Sequence, residues 1–217
     1  MSLKDLRFTF VLLFGIALAG CSNPPANDTK PEAGPAAASK AKKDAAPAQL
    51  ESGREAQQKL YAAARNWAID SQPLKLASNP RKGDAGGSAA VWSATFASAA
   101  KKSIRNFMWS GATGEDAPES GISQGSIDTY SPDNASTRPF DMNYLKVDST
   151  EAFEMAQKHG GAKIIKKEPD TIVQCALLWD PRASRLLWSI KYAPNGAESK
   201  LNVIVNATTG QFVRIEE

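Results

Sequence analysis

The 217-residue sequence has 26 basic and 23 acidic side chains, which give a formal net charge of +3 at neutral pH. The basic residues form no patch along the chain, so the sequence predicts no nucleic-acid partner. It contains no HExxH, P-loop, EF-hand loop or paired cysteines, and it therefore predicts no metal site and no cofactor. Glu115, Asp116 and Glu119 cluster in a predicted solvated loop, with weak binding of a divalent cation as the alternative. Composition alone indicates no biochemical activity.

Residues 1–20 have the features of a signal peptide. Lys4 and Arg7 precede an apolar run that is shorter than the ~20 residues a membrane-spanning helix needs. The run ends in Leu-Ala-Gly-Cys at residues 18–21, which resembles the lipobox of bacterial lipoproteins. The resemblance implies cleavage before Cys21 and attachment of lipid to it, so that the membrane is a partner through this lipid. The alternative is an ordinary secretory signal that happens to contain a cysteine.

The same resemblance suggests where in the envelope the protein is held. Ser22 differs from the aspartate associated with inner-membrane retention, which implies the outer membrane, facing the periplasm. Residues 22–50 hold five prolines, nine alanines and no large apolar residue before Leu50. Such a segment cannot bury enough surface to offset its ordering entropy, so residues 21–50 are predicted to be a lipidated cysteine and a disordered tether. Contact of this tether with cell wall or anionic lipid is the alternative to a plain spacer.

Two helices are predicted from their ends. Ser52 and Glu55 have the S-x-x-E spacing of a capping box, and the apolar residues that follow recur every three or four positions. A second helix is predicted from residue 148 or 149. Gly160 suits the left-handed position after its end, and His159 would meet the negative end of the helix dipole.

Two segments alternate between apolar and polar residues, as strands do, and each contains a Trp-Ser pair. Trp92 aligns with Trp188 at an offset of 96 residues (188 − 92), and the same offset aligns the starts of the two predicted helices. Any two amphipathic strands look somewhat alike, but these matches cover elements of different types. The sequence therefore predicts an α+β fold of two related helix-plus-antiparallel-sheet units, over residues 51–147 and 148–217, after the tether.

The segments LLWSIKY and KLNVIVNATTGQFV resemble the PepSY domain family, and the likeness covers residues 148–216. The resemblance implies an α+β fold, secretion or membrane tethering, and a role in peptidase inhibition or protein regulation without enzyme activity. Asn206 stands where the family has aspartate, which suits a turn but puts a binding role in doubt. Asn206-Ala207-Thr208 also matches a glycosylation acceptor, but a bacterial envelope protein rarely meets that machinery, so a turn is expected.

Two motifs suggest catalysis. Ser123 lies in GISQG, which matches the G-x-S-x-G nucleophile elbow, and Asp128, Asp133 or Asp141 with His159 would complete a triad. The polar flanks of Ser123 favour a strand or loop instead. Ser98-Ala99-Ala100-Lys101 matches S-x-x-K, but it falls in a predicted hairpin where a helix would be needed.

The aromatic residues and the second cysteine allow two interpretations each. Most tryptophans should pack in the core, but Trp92, Trp109, Trp188 and Tyr192 could instead line a groove that contacts a partner. Cys175 lies in an apolar run and is predicted to be a buried, inert thiol, with intermolecular pairing as the alternative.

These observations favour a non-catalytic lipoprotein of the cell envelope that binds or regulates a protein or ligand. We expect a protein partner in the envelope. The alternatives are a serine hydrolase that uses Ser123 and a structural protein that contacts peptidoglycan.

Overall fold

The computed structural model describes residues 47–134, 137–194, 196 and 198–216. The predicted signal peptide, Cys21 and nearly all of the predicted tether lie outside these residues. None of the helices within the described ranges has the length and apolarity that crossing a bilayer requires.

The first helix, α1 (Gly53–Trp67), begins where the sequence predicts. The Ser52 hydroxyl accepts a hydrogen bond from the Glu55 backbone, and the Glu55 carboxylate accepts one from the Ser52 N–H at 3.0 Å. This capping box satisfies donors that a helix start leaves free. Ala56, Leu60 and Ala64 form the fully buried face, so both the cap and the apolar stripe are confirmed.

Eight strands follow one another in antiparallel pairs across the sheet. They are β1 (Gln72–Ser78), β2 (Val91–Ser98), β3 (Ser103–Ser110), β4 (Gly121–Thr129), β5 (Thr171–Asp180), β6 (Arg185–Pro194), β7 (Leu201–Asn206) and β8 (Phe212–Glu216). Their spatial order is β4-β3-β2-β1-β5-β6-β7-β8. Between β4 and β5 the chain forms a 3₁₀ turn (Met142–Tyr144), α2 (Ser149–Ala156), a π-type turn (Gln157–Gly161) and α3 (Ala162–Lys167).

The predicted fold class, two related helix-plus-antiparallel-sheet units over 51–147 and 148–217, is wrong. β1 pairs with β5, so the strands of both stretches form one continuous eight-stranded sheet. Leu76 and Leu177 lie opposite each other at this junction, and both are fully buried. Alternation in the sequence marks a strand's faces but not which strand pairs with its edge, so the junction was not predictable from periodicity.

The 96-residue offset does recur in the hydrogen bonding of the core. The Trp92 indole N–H donates to the Glu51 carbonyl at 3.0 Å, and the Trp188 indole N–H donates to the Val147 carbonyl at 2.9 Å. The two acceptors are themselves 96 residues apart (147 − 51). Each indole therefore links its strand by a hydrogen bond to the residues just before a helix, α1 in the first case and α2 in the second.

The core lies between one face of the sheet and the helices. Trp92 and Trp188 are fully buried there and both reach the start of α1. A Cβ at Gly53 would lie 2.5 Å from Cη2 of Trp188 and 3.1 Å from Cη2 of Trp92. The first residue of α1 therefore has to be a glycine for the helix to pack this closely on the two rings.

The end of α2 is kinked. Gly160 has φ +113°, as the sequence predicts for a residue after a helix end, but the chain then continues into α3. The His159 ring stacks on Phe212 of β8, with ring centroids 3.8 Å apart and planes within 5° of parallel. His159 therefore ties the kink to the β8 edge of the sheet.

Candidate binding site

The four aromatic residues that could have lined a groove belong to the core. Trp92, Trp188 and Tyr192 have no exposed surface, and Trp109 is 5% exposed. The Tyr192 hydroxyl accepts a hydrogen bond from Gln157 Nε2 at 2.8 Å, so its polar end is satisfied. The surface of the described residues offers none of these rings to a partner.

Ser123 and His159 lie towards opposite edges of the sheet. Ser123 pairs with Met108 within edge strand β4, whereas His159 stacks on Phe212 of the other edge strand, β8. Seven strand spacings of ~4.8 Å separate the two edges. Ser123 also sits in the middle of a strand rather than at a strand-to-helix turn. The structure therefore does not assemble the predicted Ser123–His159 pair.

The Ser98-to-Lys101 motif shapes a hairpin turn. The Ser98 hydroxyl donates to Asp70 Oδ1 at 2.7 Å and accepts from the Lys101 N–H at 3.0 Å. Asp70 also accepts from the Ala100 N–H at 2.9 Å, and these bonds, with that of Ala100 the strongest, lower the pKa of the Asp70 carboxyl. The Ser98 hydroxyl and the Asp70 carboxylate therefore both form hydrogen bonds that stabilise the turn.

Cys175 is a buried thiol, as predicted. Its side chain is 3% exposed, and its sulfur lies 4.0 Å from the Gly87 carbonyl. Burial raises the pKa of this thiol to about 12, with smaller contributions from Asp84 and Asp148. The thiol is therefore neutral at physiological pH and a poor nucleophile.

A cleft of about 550 Å³ opens beside Cys175, between the loop of residues 79–90 and the first half of β5. This size lies within the range of roughly 300–1,000 Å³ typical of ligand pockets. The cleft was not predictable from the sequence, because its two walls, at residues 79–90 and in β5, are far apart in the chain. The glycines of GDAGG within the loop were the one local signal.

The cleft exists because β1 turns away from β5. Backbone pairing of β1 with β5 ends at Ala77, which lies opposite Ala176. Ser78, the last residue of β1, accepts the Cys175 N–H with its side-chain hydroxyl, at 2.9 Å. Pro80 follows and has no N–H with which to continue a ladder. The two halves of the sheet separate at this point, and the loop forms one wall of the gap.

Asp84 and two glycines fix the shape of the loop. The Asp84 carboxylate accepts from the Ala90 N–H at 2.9 Å and from the Arg81 N–H at 2.8 Å. Its partial burial raises its pKa against the effect of these bonds. Gly86 and Gly87 both have positive φ and form the centre of a tight turn. The loop is therefore a built wall rather than a loose segment.

The inner surface of the cleft is mainly apolar, and its rim is charged. Phe153 of α2, Ile165 of α3 and Val173 of β5 contribute the apolar surface. The charged residues that line it carry both signs: Arg81, Lys82, Asp84 and Asp170. Shape and apolar contact, rather than net charge, would therefore select a ligand here.

A second hollow, of about 460 Å³, lies over β2 and β3 and includes Ser123. Four of its polar side chains bond to one another in two pairs. Asn79 donates to Ser93 at 2.6 Å, and Thr95 donates to Asn106 at 2.7 Å. Because these groups are already paired, the hollow has less to offer a ligand than the cleft beside Cys175.

Comparison with known proteins supports the fold and assigns neither a family nor a function. No family model matches the chain, so the PepSY resemblance of residues 148–216 has no support from such a match, and no curated protein matches it either. The crystal structure of a predicted lipoprotein from Clostridium difficile 630 superposes with a TM-score of 0.50 over 74% of this chain and 91% of that one. The two sequences are 12% identical, so the likeness concerns the fold alone.

Proposed function

We propose that the protein is a lipid-anchored envelope protein that binds a partner in the cleft between the 79–90 loop and β5 without transforming it chemically. The built cleft of about 550 Å³ is the observation that carries the binding role. The Leu-Ala-Gly-Cys sequence at 18–21 supports the anchor. The similarity of the fold to that of a predicted lipoprotein agrees with it.

The anchor is tested by growing cells with radiolabelled palmitate. We expect label in the intact protein and none in a Cys21→Ser variant, which lacks the acceptor thiol. Fractionation of the inner and outer membranes tests the proposed location in the outer membrane. We expect a Ser22→Asp variant to move to the inner membrane. A wild-type chain without lipid, recovered in the soluble fraction, would overturn the anchor.

The binding role is tested by site-specific photocrosslinking in intact cells. A photoreactive amino acid at Ala85, an exposed residue lining the cleft, should give discrete crosslinked products. The same amino acid at Ala62, exposed on α1, is the matched control and should give none of them. Products that are absent from both positions, or equal at both, would contradict a partner in the cleft.

The separation of Ser123 from His159 favours a non-catalytic role over a serine hydrolase. A fluorophosphonate probe should leave the folded protein unlabelled. Labelling that disappears in a Ser123→Ala variant would restore the hydrolase hypothesis.

A further inference from the structure

β5 is paired along only part of one of its edges. On the β6 side all ten of its residues have partners, from Thr171 opposite Pro194 to Asp180 opposite Arg185. On the β1 side only residues 176–178 are paired, with residues 75–77. The first third of β5 therefore borders the cleft instead of another strand.

The backbone of Val173 points into this gap. The Cys175 N–H donates towards β1, to the Ser78 hydroxyl at 2.9 Å. Backbone groups alternate between the two sides of a strand, so the N–H and C=O of Val173, two residues earlier, face the same way. Among the residues that the structure describes, no backbone group bonds to Val173 on that side.

Within the part of the chain that the structure describes, no segment supplies the missing strand. Leu76 lies opposite Leu177. In antiparallel pairing, a step of four residues forward from Leu76 matches a step of four residues back from Leu177, which would place Pro80 opposite Val173. A proline there cannot donate to the Val173 carbonyl, and the loop bends away. Unpaired strand edges are templates for pairing with another chain, and proteins usually block or cover them. Here the edge opens into a cleft.

We infer that the cleft takes an extended peptide segment of an envelope protein, which adds as a strand along residues 171–173. The peptide backbone pairs with the N–H and C=O of Val173, and an alternate side chain, which is apolar, packs on Phe153 and Ile165. Backbone pairing provides the affinity, and the apolar surface of the cleft sets the specificity. This inference rests on the proposed binding role and names the chemical class of the partner.

Amide hydrogen exchange in the full chain tests the unpaired edge. We expect the Val173 amide to exchange at least about tenfold faster than that of Leu177, whose N–H faces the same side but lies within the paired β1–β5 ladder. Protection of Val173 equal to that of Leu177 in the free protein would overturn the inference, since the edge would then be occupied already.

Peptide binding tests the occupant. The probe is acetyl-Thr-Val-Thr-Val-Thr-amide with a fluorescent label, and fluorescence anisotropy measures its affinity for the full chain. Two further peptides are N-methylated, one at its valine amides and the other at its threonine amides. Each therefore lacks the N–H donors along one edge of the extended peptide. We expect saturable binding of the parent peptide, protection of the Val173 amide, and about tenfold weaker binding of at least one methylated peptide.

Variants locate the binding. Ala85→Trp fills the cleft from its exposed wall and should weaken the parent peptide about tenfold, whereas Ala62→Trp on α1 should not. No binding of the parent peptide, equal affinity of all three peptides, or no effect of Ala85→Trp would overturn strand addition. Crosslinks from position 85 in cells would still support a partner in the cleft, so failure of this inference is distinguishable from failure of the proposed function.

Discussion

Oδ1 of Asp148 lies 3.0 Å from the backbone nitrogen of Arg54, so the residue that caps α2 also caps α1. The same oxygen accepts from the Ser149 N–H at 2.6 Å. Beside it, the Ser149 hydroxyl accepts from the Gly53 N–H at 2.7 Å. The positive ends of two helix dipoles thus meet at one carboxylate, which stabilises both.

We expect Asp148→Ala to lower the free energy of unfolding by about 2 kcal/mol, because it removes the caps of two helices together. Asp148→Asn keeps a side-chain acceptor but not the charge, and should lose about half as much. Asp141→Ala is the matched control, since Asp141 is exposed and caps only the 3₁₀ turn. Urea denaturation provides the measurement. Equal losses for Asp148→Ala and Asp141→Ala would show that the shared cap contributes nothing beyond a local one.

The close packing at Gly53 leads to a second prediction. In most helices a change from glycine to alanine is stabilising, but here the new methyl would lie 2.5 Å from Trp188. We expect Gly53→Ala to destabilise the protein by about 1–3 kcal/mol through overpacking. Asn66→Ala, at an exposed position of the same helix, should be neutral or slightly stabilising. An increase in melting temperature for Gly53→Ala would contradict the packing described here.

Titration of Cys175 should make the protein less stable in alkali. Its pKa is about 12 in the folded protein against a usual value of 9.0, so above pH 9 the unfolded chain loses the thiol proton first. The free energy of unfolding therefore falls as pH rises from about 9 to about 12, by up to about 1.4 kcal/mol per pH unit. Burial also raises the pKa of Tyr192 and of Tyr130, which extends the decline to higher pH.

The measurement is urea denaturation at several values between pH 8 and pH 11, in a Cys21→Ser background that leaves one thiol. Cys175→Val removes the titrating group and should give a shallower decline between pH 9 and pH 10. The slopes are compared, because the substitution also changes packing. Parallel slopes would mean that the thiol does not contribute.

Local features of the fold were predictable from the sequence, and long-range ones were not. The Ser52–Glu55 capping box and the positive φ of Gly160 depend on neighbours within a few residues, so their patterns sufficed. The pairing of Leu76 with Leu177 joins residues 101 positions apart (177 − 76), and no pattern within either strand encodes it. The cleft depends on the end of that pairing, so it could not be predicted without it.

The side chain of Asn206, the first residue of the Asn-Ala-Thr motif, has a structural role in a turn. Its side-chain oxygen accepts from the Thr208 N–H at 2.8 Å and the Thr209 N–H at 3.1 Å, so it shapes the turn after β7. Aspartate can accept the same bonds, so Asn206→Asp should change the free energy of unfolding by less than about 0.5 kcal/mol, whereas Asn206→Ala should cost about 1 kcal/mol. Asn143→Ala, at an exposed asparagine in the 3₁₀ turn, is the control and should have little effect. If Asn206→Asp were as destabilising as Asn206→Ala, the amide N–H₂ would have a role that the turn does not explain.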